Sequence, residues 1–297
     1  MEYNNTNNIA ILLATYNGEK FLKEQLDSIY SQSYTNWSLY IRDDGSSDRT
    51  IDIIGEYSEK YSNIFLVTDE YKHIGATYSF LNMLKVVNSN YYMFSDQDDV
   101  WLPNKINDSF AAMKQAELIY KNKPIIVHTD VSLVDKELRL LSQSYWKEIG
   151  LNPDKLKTYN YLAQSSYVQG CTMLFNQQVK ELSFPVSRHA IMHDWWIATR
   201  IINKGVICTL YTPTMLYRQH EQNVFGVDFG KTTTILSKMK NIKKVVYENN
   251  KLYKSLKQDG YGSFFKYLYY KILLLIHRRK NLKRYSSYSF LPKNKMN

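Results

Sequence analysis

Three apolar runs in the first hundred residues each end in a polar, turn-forming loop and then pass into a helical pattern. This alternation restricts the fold more than any other feature. Ile9-Ala10-Ile11-Leu12-Leu13-Ala14 leads into Thr15-Tyr16-Asn17-Gly18 and a helix with Phe21, Leu22, Leu26, Ile29 and Tyr30 turned inward. Trp37-Ser38-Leu39-Tyr40-Ile41-Arg42 leads into Asp43-Asp44-Gly45-Ser46-Ser47-Asp48-Arg49-Thr50 and a helix marked by Ile51, Ile53, Ile54 and Tyr57. Gly45 permits a tight turn at positive φ, and Ser47 or Asp48 is placed to cap that helix. Tyr91-Tyr92-Met93-Phe94 reads as a buried strand ending in Ser95-Asp96-Gln97-Asp98-Asp99-Val100-Trp101. Repeated strand–helix alternation predicts a parallel sheet, and such sheets bind ligands at the carboxyl ends of their strands. The polar loops fall at those ends.

The third loop carries the sharpest chemical signal. Carboxylates crowded together repel and raise one another's pKa unless a cation neutralises them. Hard divalent ions take oxygen ligands, and Mg²⁺ is commonly held by one or two carboxylates plus substrate phosphates. Asp96 and Asp98, two apart on a turning segment, are expected to face one ligand, one towards ribose and one towards metal. The plain alternative is a solvated acidic turn. Asp99 is expected to orient the loop, and Trp101 to form core or the wall of a sugar pocket.

These loops and two later segments together resemble family 2 glycosyltransferases of the GT-A fold, in the bacterial rhamnosyltransferase-like branch. The residues that carry the likeness are Ala14-Thr15-Tyr16-Asn17-Gly18, Asp43 to Thr50, Ser95 to Trp101, His193-Asp194-Trp195-Trp196 and Tyr217-Arg218-Gln219-His220. The likeness spans roughly residues 8–226, while residues 231–297 carry no family signature. It implies a Rossmann-like α/β fold with a mixed, mainly parallel sheet flanked by helices. It also implies transfer of a sugar, with rhamnose favoured, from a dTDP- or UDP-sugar to a hydroxyl of a glycan. Ala14, Tyr16, Asn17, Asp43, Asp44 and Asp96 then fall with the nucleotide, Asp44 on the pyrimidine ring. Asp98 is the firmest metal ligand, joined by Asp96 and a late histidine, His220, around Mg²⁺ or Mn²⁺.

The acceptor hydroxyl needs a base, and Asp194 is the candidate. It opens a helical pattern continued by Trp196, Ile197, Arg200 and Ile201. The helix dipole favours an ionised carboxylate in a first turn, and a positioned carboxylate suits general-base work. Helix capping is the plain alternative. His193 is expected either to orient Asp194 or to pack. Trp195 is placed at the acceptor, and the Arg218 fork suits a diphosphate. Two other classes compete. Asp96-Gln97-Asp98-Asp99-Val100 fits an aspartyl-nucleophile phosphatase pattern, but that pattern follows a first strand, whereas here a further strand at Ile64-Phe65-Leu66-Val67 makes the preceding strand roughly the fourth. A non-catalytic, membrane-recruited sugar-nucleotide-binding module is the second.

Charge divides the chain. Residues 231–297 hold 17 Lys or Arg against two acids, a net +15, which leaves −5 for residues 1–230. The basic charge therefore belongs to a tail and does not argue for nucleic acid. Residues 1–230 read as the catalytic domain, 1–100 as its nucleotide-binding half and 101–230 as its acceptor half. In the tail, Phe264, Phe265, Leu268, Ile272, Leu275 and Ile276 fall within an arc of about 120° at helical spacing. The apolar run is shorter than a bilayer span and is interrupted by Lys266 and Lys271. It is expected to lie in a membrane interface, or else to pack on the domain with a basic face in water. Cys171 and Cys208 give no disulfide framework, and Met1-Glu2-Tyr3-Asn4-Asn5 does not begin a signal peptide. The expected place is the cytoplasmic face of the plasma membrane, with a lipid-linked acceptor.

Overall fold

A computed structural model of the chain describes residues 7–187, 190, 192–221, 247, 249, 250, 252–254, 256, 257 and 260–288. Strands β1 (Ile9–Thr15), β2 (Trp37–Asp43), β3 (Ile64–Leu66) and β4 (Tyr91–Ser95) lie parallel in the order β3-β2-β1-β4. Helices α1 (Leu22–Tyr30), α2 (Thr50–Lys60) and α3 (Gly75–Val86) connect them. Both sheet faces are covered, which explains the continuous apolar runs. Ile9, Ile11 and Leu13 enter one core, and Ala10 and Leu12 enter the other; Tyr91 and Met93 part from Tyr92 and Phe94 in the same way.

The second half continues the same sheet. It comprises β5 (Val100–Trp101), α4 (Lys105–Ile119), β6 (Ile125–Val134), β7 (Leu140–Ser142), α5 (Tyr145–Glu148) and α6 (Tyr159–Leu162). It is completed by β8 (Leu174–Asn176), α7 (Gln177–Ser183), α8 (His193–Ile201) and β9 (Val206–Arg218). Strand order runs on as β4-β8-β6-β9-β5, with β7 paired to β6, so the described residues form one mixed nine-stranded sheet. Strand β8 is antiparallel to both β4 and β6, while β6 and β9 are parallel. The short β5 pairs with the end of β9, Val100 opposite Leu216, and so draws the acidic loop against Arg218.

The apolar run Val168 to Phe175 reads in the sequence as a strand but is mostly a turn. Of Val168 to Phe175, only the end joins β8, and Gly170–Thr172 forms a 3₁₀ turn. A Cβ on Gly170 would lie 2.5 Å from His193 Nε2, so the turn depends on the bare backbone there. In the tail, α9 (Phe264–Tyr288) packs against α5 and α6. None of the described helices is long and apolar enough to cross a membrane. Asn223-Val224-Phe225-Gly226, which extends the Tyr217 motif, and residues 231–246 of the tail lie outside the described residues.

Candidate active site

The loops after β1, β2 and β4 meet because their parallel strands end together, Thr15 beside Asp43 and Leu13 beside Ser95. Gln97 joins two of them: its Nε2 donates to Tyr16 O (3.0 Å) and its Oε1 accepts from Tyr16 N (2.9 Å). A Cβ on Gly18 would stand 2.3 Å from that Oε1, so glycine is what allows the approach. Asn17, at φ 48°, joins the other pair. Its N–H donates to Ser46 Oγ (2.8 Å), and its Oδ1 accepts from Ser47 N (2.9 Å). Asp48, as the sequence predicts, accepts from the Thr50 amide that opens α2.

Asp43 and Asp44 are largely consumed by this framework. Asp43 accepts from Thr15 Oγ1, Gly45 N, Ser46 N and Ser46 Oγ. Asp44 is buried, accepts from Ile74 N (3.0 Å) and Gly75 N (2.7 Å) at the start of α3, and pairs with Arg42 at 3.0 Å. Expected on the pyrimidine ring, Asp44 keeps one open acceptor position on Oδ2. Arg42 is the residue sequence reasoning missed. It is 1% exposed and binds both oxygens of Asp69, Tyr71 O, Ser79 Oγ and Asp44. The hydrogen bond to Asp69 raises its pKa further and, in return, holds Asp69 below the usual carboxylate range. A charge ending an otherwise apolar strand was the available signal, since a buried charge must be paired. Ala14 is half-buried, and the Tyr16 ring stays half-exposed, meeting His73 edge-on at 5.6 Å.

The β4 loop concentrates negative charge. Burial, and then the Asp98 and Asp194 carboxylates, push Asp96 up. Burial and the same cluster push Asp99 well up. Asp99 is fully buried; its Oδ1 accepts from Arg218 N (3.1 Å), and its Oδ2 has no partner among the described residues. One atom each of Asp96, Asp99 and Cys171 lie within 4.8 Å of one another. Burial raises the Cys171 thiol well above its usual value. Lys105, fully buried and pushed down to about 8 by burial, lies behind, over the Trp101 ring at 4.9 Å. Trp101 itself is 3% exposed in the core, and of its two expected places the structure gives it the core rather than the sugar pocket.

At the rim, Asp98 Oδ2 stands 2.8 Å from His220 Nε2, while the Asp96 carboxylate groups instead with Asp99 and Cys171. A carboxylate and an imidazole in contact are two donors for a divalent ion, with Asp96 two positions away on the same loop. Arg218, expected on the diphosphate, is instead a buried clamp. It is 1% exposed, donates to Asp98 O (2.8 Å), Lys136 O (2.7 Å) and Glu24, and stacks on Phe21 at 4.5 Å. A guanidinium so engaged has no fork to turn outward.

Asp194 lies in the first turn of α8 and closes the site from the second half of the chain. Its Oδ2 accepts from Gly170 N (2.8 Å) and its Oδ1 from Trp195 N (2.6 Å). Burial nevertheless pushes it up to about 6. Asp96 lies within 4.8 Å of Cys171, the residue after Gly170, so the base candidate and the acidic loop flank the same 3₁₀ turn. His193 does not orient it. The ring is buried between Phe80 (4.2 Å) and Phe94 (4.7 Å), neither nitrogen has a partner among the described residues, and burial drives it down to about 3. Trp195, expected at the acceptor, turns away: its indole donates to Leu162 O (2.6 Å) and packs with Ala163, Tyr261 and Tyr267.

Comparisons with known proteins agree with this geometry. The family model described as glycosyl transferase family 2 matches residues 10–180. The dTDP-rhamnosyl transferase RfbG of Shigella flexneri is 27% identical over 73% of this chain and 75% of its own length. A UDP-Glc:alpha-D-GlcNAc-diphosphoundecaprenol beta-1,3-glucosyltransferase, WfgD of Escherichia coli, is 28% identical over 68% and 76%. Among solved structures, S. aureus TarS 1-349 with UDP-GlcNAc superposes with a TM-score of 0.55 at 20% identity, over 73% of this chain and 60% of that one. The mannosyltransferase PcManGT from Pyrobaculum calidifontis, with GDP-Man and Mn²⁺, gives 0.57 at 15% identity, over 94% and 73%. Both structural likenesses establish the GT-A fold.

Two outcomes test these assignments. Arg218→Met is expected to lower stability by about 3 kcal/mol, because Asp98 O and Lys136 O lose a buried donor. The half-exposed Glu24 adds little to that figure. A variant with unchanged Tm and only weakened donor binding would restore Arg218 to the diphosphate. His193→Leu isolates the unpaired ring. A histidine held down to about 3 contributes stability above the unfolded pKa of about 6.5 that is lost as pH falls below it. The stability of the Leu variant relative to the parent is therefore expected to rise by about 2 kcal/mol between pH 7 and pH 5. A pH-independent difference in chemical denaturation would show that the ring has a partner.

Proposed function

The chain belongs to glycosyl transferase family 2, and we propose that it transfers a hexosyl group, rhamnose favoured, from a nucleoside-diphosphate sugar with inversion at the anomeric carbon. What supports this reading is that Asp96 lies within 4.8 Å of Cys171, while the adjoining Gly170 N donates to Asp194, so the two carboxylates flank one turn. In this reading Asp194 takes the proton of the acceptor hydroxyl as that oxygen bonds to the anomeric carbon. The anomeric C–O bond breaks with its electron pair on the departing nucleoside diphosphate. A single displacement with one base gives inversion.

Asp98, His220 and Asp96 would hold a divalent ion, which supplies neutralisation of the charge that builds on the diphosphate. The carboxylates suit Mg²⁺ or Mn²⁺. Asp96 would serve the ion and the ribose, and the exposed ring of Tyr16 with His73 offers an aromatic surface for the base. The open acceptor of Asp44 completes a pyrimidine contact. The likeness to the dTDP-rhamnosyl transferase RfbG and the UDP-Glc-using WfgD supports a dTDP- or UDP-sugar donor. WfgD's diphosphoundecaprenol substrate supports a lipid-linked glycan as acceptor, in cell-surface polysaccharide assembly. The enzyme would then work peripherally on the cytoplasmic face of the plasma membrane.

A donor panel tests the reading: nucleoside diphosphate release is expected from a dTDP- or UDP-hexose, and only with a divalent ion present. Asp98→Asn is expected to remove most turnover while leaving Tm unchanged. Full activity of that variant, or of the parent in excess chelator, would sink the metal assignment. A base must be ionised, and Asp194 is held up to about 6. Thus kcat/KM is expected to fall as pH drops through about 6, tenfold per unit below it. A flat profile from pH 5 to 7, or NMR showing retained anomeric configuration, would remove Asp194 from this role.

A further inference from the structure

The two expectations for the tail, a helix on the membrane and a helix packed on the domain, are not exclusive in the structure. Helix α9 is docked along one side. Tyr267 and Leu274 are buried, Tyr270 meets Tyr161 edge-on at 5.4 Å, Arg278 Nε donates to Ile149 O (2.9 Å) and Asn281 Nδ2 to Gly150 O (3.0 Å). Gly150, at φ 69°, lets the two backbones approach, since a Cβ there would lie 2.6 Å from Arg278 O. Bonds to backbone carbonyls and a glycine-dependent contact fix the helix in rotation as well as position.

The opposite side is apolar and bare. At 100° per residue, Leu268, Ile272, Phe265, Ile276 and Tyr269 centre about 180° from Tyr267, Leu274 and Asn281. They are between 40% and 82% exposed, Phe265 the most. Large contiguous apolar surface rarely faces water without a partner. Basic residues accompany this stripe: Lys266 is exposed at one flank, and Arg279 and Lys280 are exposed at its C-terminal end. No acid occurs between residues 264 and 288. A second copy docked on this stripe would set Arg279 and Lys280 near their own equivalents or near an equally basic helix. An anionic bilayer suits both parts: apolar side chains enter the acyl boundary, while the long basic side chains reach phosphate.

We infer that α9 is a membrane seat fixed to the catalytic domain, its Tyr267–Leu274 side docked and its Phe265–Ile272–Ile276 side lying in the interface of an anionic bilayer. This inference rests on the proposed lipid-linked acceptor and gives it a geometry. Trp195, the residue after Asp194, packs in the same cluster as Tyr261 and Tyr267. The helix on the bilayer and the residue proposed as base are thereby held by one packed unit, so the site keeps a constant attitude to the lipid surface.

Flotation tests this with the full chain and two vesicle types, phosphatidylcholine alone and phosphatidylcholine with phosphatidylglycerol. The parent is expected to float with the anionic vesicles, and high salt is expected to weaken binding without abolishing it. The double variant Phe265→Glu, Ile272→Glu is expected to lose at least about tenfold in vesicle affinity. Both positions are exposed, so its Tm and its nucleoside diphosphate release with a water-soluble acceptor should match the parent. Failure of the parent to bind anionic vesicles, or undiminished flotation of the variant, would overturn the inference. A concentration-dependent dimer abolished by the same substitutions would give the stripe to a second copy and overturn it too. Failure of the transferase reading looks different: no donor turnover, with vesicle binding intact.

Discussion

Much of the site depends on one buried guanidinium. Arg218, the last residue of β9, holds Asp98 O, Lys136 O and Glu24, while its own N–H is held by Asp99. These bonds join the end of β9 to the β4 loop, to the segment after β6 and to α1. A cation that is 1% exposed forfeits its hydration, and only a complete set of acceptors offsets that cost. The acidic loop therefore has one low-energy path past Arg218, and Asp98 is delivered to the rim beside His220. Arg42 plays the matching part on the other side, where it fixes Asp44 and the start of α3.

Against those compensated cations stands charge left uncompensated. Asp96, Asp99 and Asp194 are all pushed up, and Asp99 Oδ2 has no described partner. Lys105, deep behind the loop, is itself pushed down by burial and offsets only part of this. Folding alone would not favour such a cluster, since each ionised form is disfavoured by burial and by its neighbours. A ligand carrying positive charge relieves the cost, and strained electrostatics of this kind concentrate at working sites. The same burial that destabilises ionised Asp194 gives it a basicity closer to neutral pH than a solvated aspartate has, which suits proton abstraction.

The sequence showed the fold far better than it showed the wiring. Apolar runs that alternate between two cores read directly as covered strands, and the loops after Ala14, Arg42 and Phe94 fell where the strands end. Asp98 with His220, and Asp194 in a first helical turn, also came together as expected. What misled was side-chain direction. Arg218 and Trp195 follow motif positions, yet one is turned inward by Glu24 and two carbonyls and the other by Leu162 O. His193 carries no sign in the sequence that Phe80 and Phe94 would enclose it. Gln97, which ties two loops through Tyr16, is invisible to any local pattern because its partner is 81 positions away. The exposed-or-buried state of a polar residue is a property of the assembled site, and periodicity reports it only for apolar neighbours.

The tail shows the converse, a periodicity legible in advance whose meaning waited for the packing. An apolar arc on a basic helix is compatible with burial against protein or with burial in lipid, and hydropathy alone does not separate them. Docking separates them by using the other side. Tyr267 and Leu274 satisfy the contact with the domain, and the bonds from Arg278 and Asn281 prevent the helix from rolling to bury Phe265 and Ile272 instead. Burying that stripe on the domain would break both bonds and expose Tyr267, so the fold holds the apolar side outward against its own hydrophobic preference. The exposed stripe and the adjacent Arg279 and Lys280 suit an apolar and anionic cover, which is what the inferred bilayer contact supplies.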